Sequence, residues 1–350
     1  MKPGSRALSM APLALVAMTL CLAAIGCWSS SGQEVVVYTA LDKEFSEPIL
    51  EEFSEQTGIA ALPKFDAEST KTVGLTQAIL DERDRPRCDV FWNNEILNTL
   101  RLQRAGLLDV YQSPAAAEFP EMARSPKGTW HGFAARARIL VVNTNLLADV
   151  PEDHQPRSIL DLADPRWQGR GGIAKPLFGT TATHAACLFA VWGDQQAKDY
   201  FRKLKDNDVR ILAGNKHVAQ AVAAGQIVFG LTDTDDAMVI RKTEPHVAIV
   251  YPDQEDDGLG TLFIPNTLAI LKGCPHPESA RRLVDYLLSP QVEAELAAGP
   301  SAQIPLGPNV DVELQVQTPR TVKAMQVDFD AAADKWDTAA KFLRDELTGG

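Results

Sequence analysis

The chain of 350 residues carries 34 basic and 46 acidic side chains, a formal net charge of −12. A balance this acidic gives no general attraction for nucleic acid or for an anionic membrane face, so neither is expected as a partner. The length allows two domains with sizeable cores, and nothing beyond residue 27 is long and apolar enough to span a bilayer.

Lys2 and Arg6 open the chain, and a mostly apolar stretch runs from Leu8 to Gly26. Small residues before Cys27, in Leu22-Ala23-Ala24-Ile25-Gly26-Cys27, read as a bacterial lipoprotein signal at 1–26, with Cys27 lipidated and 27–33 as a tether. A plain secretory signal cleaved nearby is the alternative. Either way the protein is expected to be exported, on the periplasmic or cell-surface side of a bacterial membrane. Cys88, Cys187 and Cys274 are spaced too widely and unevenly for a disulfide framework or a zinc ribbon, and read as small buried residues.

Glu34–Thr39 is a short apolar strand. Phe45, Ile49, Leu50 and Phe53 then recur at helical spacing up to Gly58, and Ala61–Phe65 is extended, with Pro63 favouring an edge. Val73–Leu80 reads as a helix, Asp89–Trp92 as a buried strand end, and Ile96, Leu97, Leu100 and Leu102 as another helical face. Gly132–Val142 starts alternating and becomes continuously apolar, which predicts a first crossing between domains. Ser158–Leu162 is a short capped helix, Thr180–Trp192 and Gln196–Leu204 are helical, and Val218–Ala224 precedes a strand at Ile227–Leu231. Leu262–Ile264 returns to the first domain. Glu278–Leu288 is a clear helix that Pro290 ends, and a last mixed helix spans about Asp328–Leu347. Strands alternating with helices predict an α/β fold with parallel sheets, in which ligands collect beyond the carboxyl ends of strands.

These landmarks, in this order, resemble the ferric-ion-binding receptors of the type II periplasmic-binding fold. Val37–Glu44 resembles that family's first strand and loop, Asp89–Trp92 its second anchor, and Ala135–Arg138 its basic hinge segment. Leu160–Trp167 and Ile304–Val310 resemble its second-domain opening and its late bend. The resemblance implies two α/β domains joined by crossing hinge segments around a ligand cleft, one built from 34–134 and 264–305 and the other from 135–263 and 306–350. It implies a receptor that works with an ABC permease and its ATPase. At the position of the family's tyrosine pair this chain has Asp235 and Asp236, and Asp42 stands where the first loop has a histidine. Asn94, followed by Glu95, falls near the acidic ligand position.

Asp42, Glu95, Asp233, Asp235 and Asp236 each follow an expected strand and are the candidate metal ligands. Converging carboxylates repel one another unless a cation joins them. With Asn94, Thr232 and Thr234 they make a hard, oxygen-rich set suited to iron, calcium, manganese or magnesium. Capping of a helix that starts at Thr234 is the plainer reading of Asp233. Arg136 and Arg138 alternate to one side of an extended segment. They neutralise these acids, clamp an accompanying carbonate or phosphate with Thr180 and Thr181 adding hydroxyl donors, or simply bridge the two domains as an ion pair. Tyr38 and Trp92 are aromatic candidates for the cleft wall, which would also suit an organic cation, with sheet packing the plainer reading, above all for Trp92. The six histidines show no metal-ligand spacing and are left outside the primary site.

The favoured expectation is a monomeric, non-catalytic receptor for a metal cation. A receptor for an organic cation or a phosphorylated small solute is the alternative. A secreted metal-dependent hydrolase is less favoured, since neither a Gly-x-Ser-x-Gly elbow nor a His-Glu-x-x-His segment occurs. A purely structural lipoprotein completes the set.

Overall fold

A valine-rich strand, β1 (Glu34–Thr39), lies between two parallel partners, β2 (Ala60–Phe65) and β3 (Val90–Asn93), in a computed structural model of the chain. The structure describes residues 33–66 and 72–349, together with Met1 and Gly4. The rest of the leader, Cys27 and the tether up to residue 32 lie outside the described residues. Residues 34–350 form one compact unit.

Between β1 and β2, helix α1 (Lys43–Thr57) buries Phe45, Ile49, Leu50 and Phe53 and stops at Gly58, whose φ of 71° is the left-handed cap that glycine adopts freely. β2 is an edge strand, as Pro63 predicts. Helices α2 (Val73–Asp81) and α3 (Leu97–Arg104) flank β3 in the chain.

The organising element is β4 (His131–Asn143), thirteen residues long and buried throughout. Its first half pairs antiparallel with β9 (Phe263–Ile270). Its second half lies between β7 (Phe229–Asp233) and β8 (Val247–Val250), both antiparallel to it. A register shift between Phe133 and Arg136 marks the change, and Ala134 takes φ 42° there. That conformation is strained for a residue with a Cβ. The strand order is β2-β1-β3-β9-β4-β7-β5-β6, where β5 (Gly171–Ala174) runs parallel to β7 and to β6 (Arg210–Leu212). Helices α4 (Gly179–Trp192), α5 (Asp194–Asp206), α6 (Asn215–Ala223) and α7 (Thr234–Arg241) complete this half. Among the described residues no helix is long and apolar enough to cross a membrane.

The sheet is therefore mixed, because both crossing strands run against their neighbours. Two short strands, β6 and β8, are additions to the sequence reading, and β9 extends well past Ile264. Ser158 does cap a helix, with Asp161 returning the bond to its backbone, but the helix is a 3-10 turn at Ile159–Ala163. Pro290 begins a helix as well as ending one. α8 (Pro277–Leu287) closes, and α9 (Pro290–Ala298) starts with Ser289 as its cap and Pro290 at the first position, where a missing N–H costs nothing. The final helix, α10 (Phe329–Phe342), buries Trp336 and Phe342.

Candidate functional site

Strand β7 ends at Asp233 and α7 begins at Thr234, so three carboxylates are delivered at one strand-to-helix junction. One oxygen from each of Asp233, Asp235 and Asp236 lies within 4.8 Å of the others. Asp235 and Asp236 occupy the first turn of α7, where the helix dipole favours negative charge. Asp233 stands at the N-cap position, yet its carboxylate makes no capping bond. It turns sideways to Arg138 on the neighbouring strand, Nη1 to Oδ1 at 2.6 Å. Capping is thus not what holds this side chain.

Arg136 makes a second pair, Nη1 to Asp235 Oδ2 at 2.8 Å, with both side chains almost fully buried. Its Nη2 donates to Asn266 Oδ1 at 2.8 Å. Burial alone would lower the pKa of Arg136, but Asp235, Asp233, Asp42 and Asp236 together push it above its ordinary value. Asp42, at the N-cap position of α1, therefore belongs to the same electrostatic group. Four carboxylates, Asp235, Asp233, Asp42 and Asp236, thus act on Arg136.

Around Arg138 the polar contacts form a closed set. Nη1 also reaches Asn215 Oδ1 at 3.0 Å and Thr180 Oγ1 at 3.3 Å, and Nη2 reaches Thr181 Oγ1 at 3.3 Å. Asp233 Oδ2 accepts from Thr180 Oγ1 at 2.5 Å and from Asn215 Nδ2 at 2.8 Å. The Thr181 hydroxyl donates to Asn215 Oδ1 at 3.0 Å.

The remaining candidates have local partners. Glu95 is fully buried; its oxygens accept from the backbone N–H groups of Leu97 and Asn98 at the start of α3, from Asn93 Nδ2, and from Thr183 Oγ1 at 2.8 Å. Asn94 is buried, and its Oδ1 has no partner among the described residues. Thr232 donates to the carbonyl of Asn215, and the Thr234 hydroxyl accepts from Ala137 N–H. The Tyr38 hydroxyl donates to Glu82, and the Lys64 ammonium sits 4.2 Å from the centre of its ring. Trp92 is fully buried against Phe133.

Residues 98–335 match the family described as bacterial extracellular solute-binding protein. The chain belongs to that family. The protein is 26% identical over 275 residues to iron uptake protein A1 of Synechocystis sp., spanning 76% of this chain and 74% of that protein. Iron-bound HitA from Pseudomonas aeruginosa has a similar fold, with a TM-score of 0.80 at 23% identity over 90% of this chain and 99% of that one. So has AfuA from Actinobacillus pleuropneumoniae with fructose-6-phosphate bound, at a TM-score of 0.78 and 21% identity over 92% and 100% of the two chains. The fold of this solute-binding protein is thus the two-domain α/β periplasmic-binding architecture.

Two residues, Asn215 and Asn266, escaped the sequence reading, and a third, His184, was left outside the site by it. Asn215 opens α6 just after β6 and bridges Arg138, Thr180, Thr181 and Asp233. Asn266, in β9, holds Arg136 and also bonds Ala134 O and Gln303 Oε1. His184 is buried, and burial followed by the charge of Arg138 holds its pKa well below the usual histidine range. It lies one helical turn beyond Thr180, so the i, i+4 rule could have placed it on the same face. Next to the register shift, Glu293 accepts from Ala134 N–H at 2.8 Å, Leu306 N–H at 2.8 Å and Gly307 N–H at 2.6 Å. One buried carboxylate thereby joins β4 to the late bend.

Proposed function

We propose that this solute-binding protein is the receptor of an ABC importer and captures a hard metal cation, iron being the first candidate, in a cleft between its domains. The carrying observation is the junction at Asp233, Asp235 and Asp236, whose oxygens converge within 4.8 Å of one another. Carboxylates set at a helix start and held by second-layer contacts suit oxygen-preferring ions. The chain's likeness to iron uptake protein A1 and to iron-bound HitA supports iron as cargo.

In this reading Asp235 and Asp236 are the ligands that the cation meets, with Asp42 contributing from the N-cap of α1. Closure brings the two domains, 34–134 with 264–305 and 135–263 with 306–350, over the ion, and the closed form is what the permease recognises. The bond from Thr183 to Glu95 and the ion pair of Lys216 with Glu44 at 3.4 Å then belong to the closed form. The permease's ATPase supplies the work, and lipid at Cys27 keeps the receptor at the membrane. A phosphorylated solute, such as the fructose-6-phosphate bound in AfuA, finds less support, because Asp235 and Asp233 already pair with the two guanidinium groups.

The test is small-angle scattering on metal-free protein titrated separately with iron(III), manganese(II), calcium and magnesium. A smaller radius of gyration with a metal ion, absent in Asp235→Asn, is the expected result. Compaction by an organic cation or a sugar phosphate alone would overturn the reading.

A further inference from the structure

Arg138 is the residue best placed to bind an accompanying anion, but a carboxylate of the protein already fills that role. Its side chain is fully buried, its Nη1 faces Asp233 Oδ1, and the second Asp233 oxygen accepts from Thr180 and Asn215. The hydroxyl protons of Thr180 and Thr181, and an Asn215 N–H, are spent inside this set. Oxyanion recognition by arginine depends on two parallel N–H donors in a fork. Arg138 sets Nη1 on Asp233 and Nη2 on Thr181, and Arg136 sets Nη1 on Asp235 and Nη2 on Asn266, so each terminal nitrogen of both guanidinium groups already has a partner. On each arginine, Nη1 already carries a carboxylate of the protein.

We propose that Asp233 is a built-in counter-anion, so that the site binds its cation without any free carbonate, phosphate or organic acid. The inference rests on the cation reading given above and adds the requirement that the receptor impose on its medium. A carboxylate attached to the chain is present at a fixed position and needs no capture from solution, so a free oxyanion would have to displace Asp233 to reach Nη1 of Arg138. The backbone N–H groups at the start of α4, which has no side-chain cap, are donors that a free anion could still use. They lie beside the Asp233 carboxylate that Thr180 holds, so a second anion there would meet a like charge.

The experiment is native mass spectrometry on chelator-treated full-length protein, loaded with manganese(II) chloride or with iron(III) supplied as its nitrilotriacetate chelate. Parallel titrations of the same metals are run with and without bicarbonate and inorganic phosphate. The expected result is a complex whose added mass is that of the metal alone, with an affinity that the anions change by less than about twofold; an obligatory partner would change it by roughly 5–150-fold. Asp233→Asn should release Arg138 and introduce both phosphate binding and dependence on an added anion. A complex that always carries anion mass, or a metal affinity that needs bicarbonate or phosphate, would overturn the inference while leaving cation capture intact. Retention of no metal under any of these conditions would overturn cation capture, and this inference with it. The wild-type measurement decides the matter even if Asp233→Asn does not fold.

Discussion

Arg138 and Asp233 are direct cross-strand partners in the β4–β7 ladder, and their side chains close a buried ion pair at 2.6 Å. The same antiparallel register, carried two residues past the end of β7, sets Arg136 opposite Asp235, the pair that meets at 2.8 Å. The two-residue period of β4 is thus matched by a two-residue period of acids across the strand-to-helix junction. One pair is sealed within a polar network, while the other belongs to the converging acids.

Breaking the sealed pair from one side leaves a charge stranded in the interior. Arg138→Met should destabilise the protein by about 3–5 kcal/mol, the usual cost of unpairing a buried charge. Arg138→Met combined with Asp233→Leu should recover much of that loss. Urea midpoints of the single and double variants measure both effects.

Asp235→Asn should weaken cation binding by roughly tenfold to hundredfold, since one charged contact is worth about 1.5–3 kcal/mol. Asp236→Asn, at a less buried position, should weaken it without freeing Arg136. Calorimetric titration with the metal that the wild-type protein retains gives both values.

Stability should fall as the solution is acidified below about pH 6.5, through His184. Burial, then Arg138, hold its folded pKa well below the ordinary 6.5. The unfolded chain therefore binds a proton that the folded chain refuses, and the stability present above 6.5 is lost as pH falls toward the depressed value. His184→Gln should reduce that slope, measured as urea midpoints of metal-free protein between about pH 8 and about pH 5. Because His131 is lowered by burial too, the slope should shrink without vanishing.

At the late bend, Gly307 has no room for a side chain. A Cβ there would lie 2.5 Å from Glu293 Oε2 and 2.7 Å from the Phe119 ring. Gly307→Ala should cost about 1–3 kcal/mol, as overpacking does, and disturb the bond that Glu293 makes to Ala134. Both a lower melting temperature and an altered ligand-dependent scattering change are expected.

Much of the architecture was legible because its elements carry strong local signals. The Val35–Val37 run, the Phe45–Phe53 stripe before Gly58, and the change from alternation to continuous apolarity in β4 each state an element and its environment. The site was legible as composition but not as pairing. Alternation put Arg136 and Arg138 on one face, whereas the acid each would meet depended on the register with β7, a long-range property. Register also sent Tyr38 to Glu82 and buried Trp92 against Phe133. Asn215 was hidden because β6 before it is three residues long and starts with exposed Arg210, so no apolar run announced a strand. His184 was set aside for lacking a second histidine nearby, although its importance comes from Arg138.

The most direct test of cation capture at Asp235 and Asp236 is native mass spectrometry of the protein purified without denaturation, with elemental analysis on the same sample. Asp235→Asn/Asp236→Asn, prepared in parallel, is the comparison. One metal ion per wild-type chain, lost from the double variant, is the predicted result. An organic adduct without metal, or equal metal in both proteins, would contradict the account.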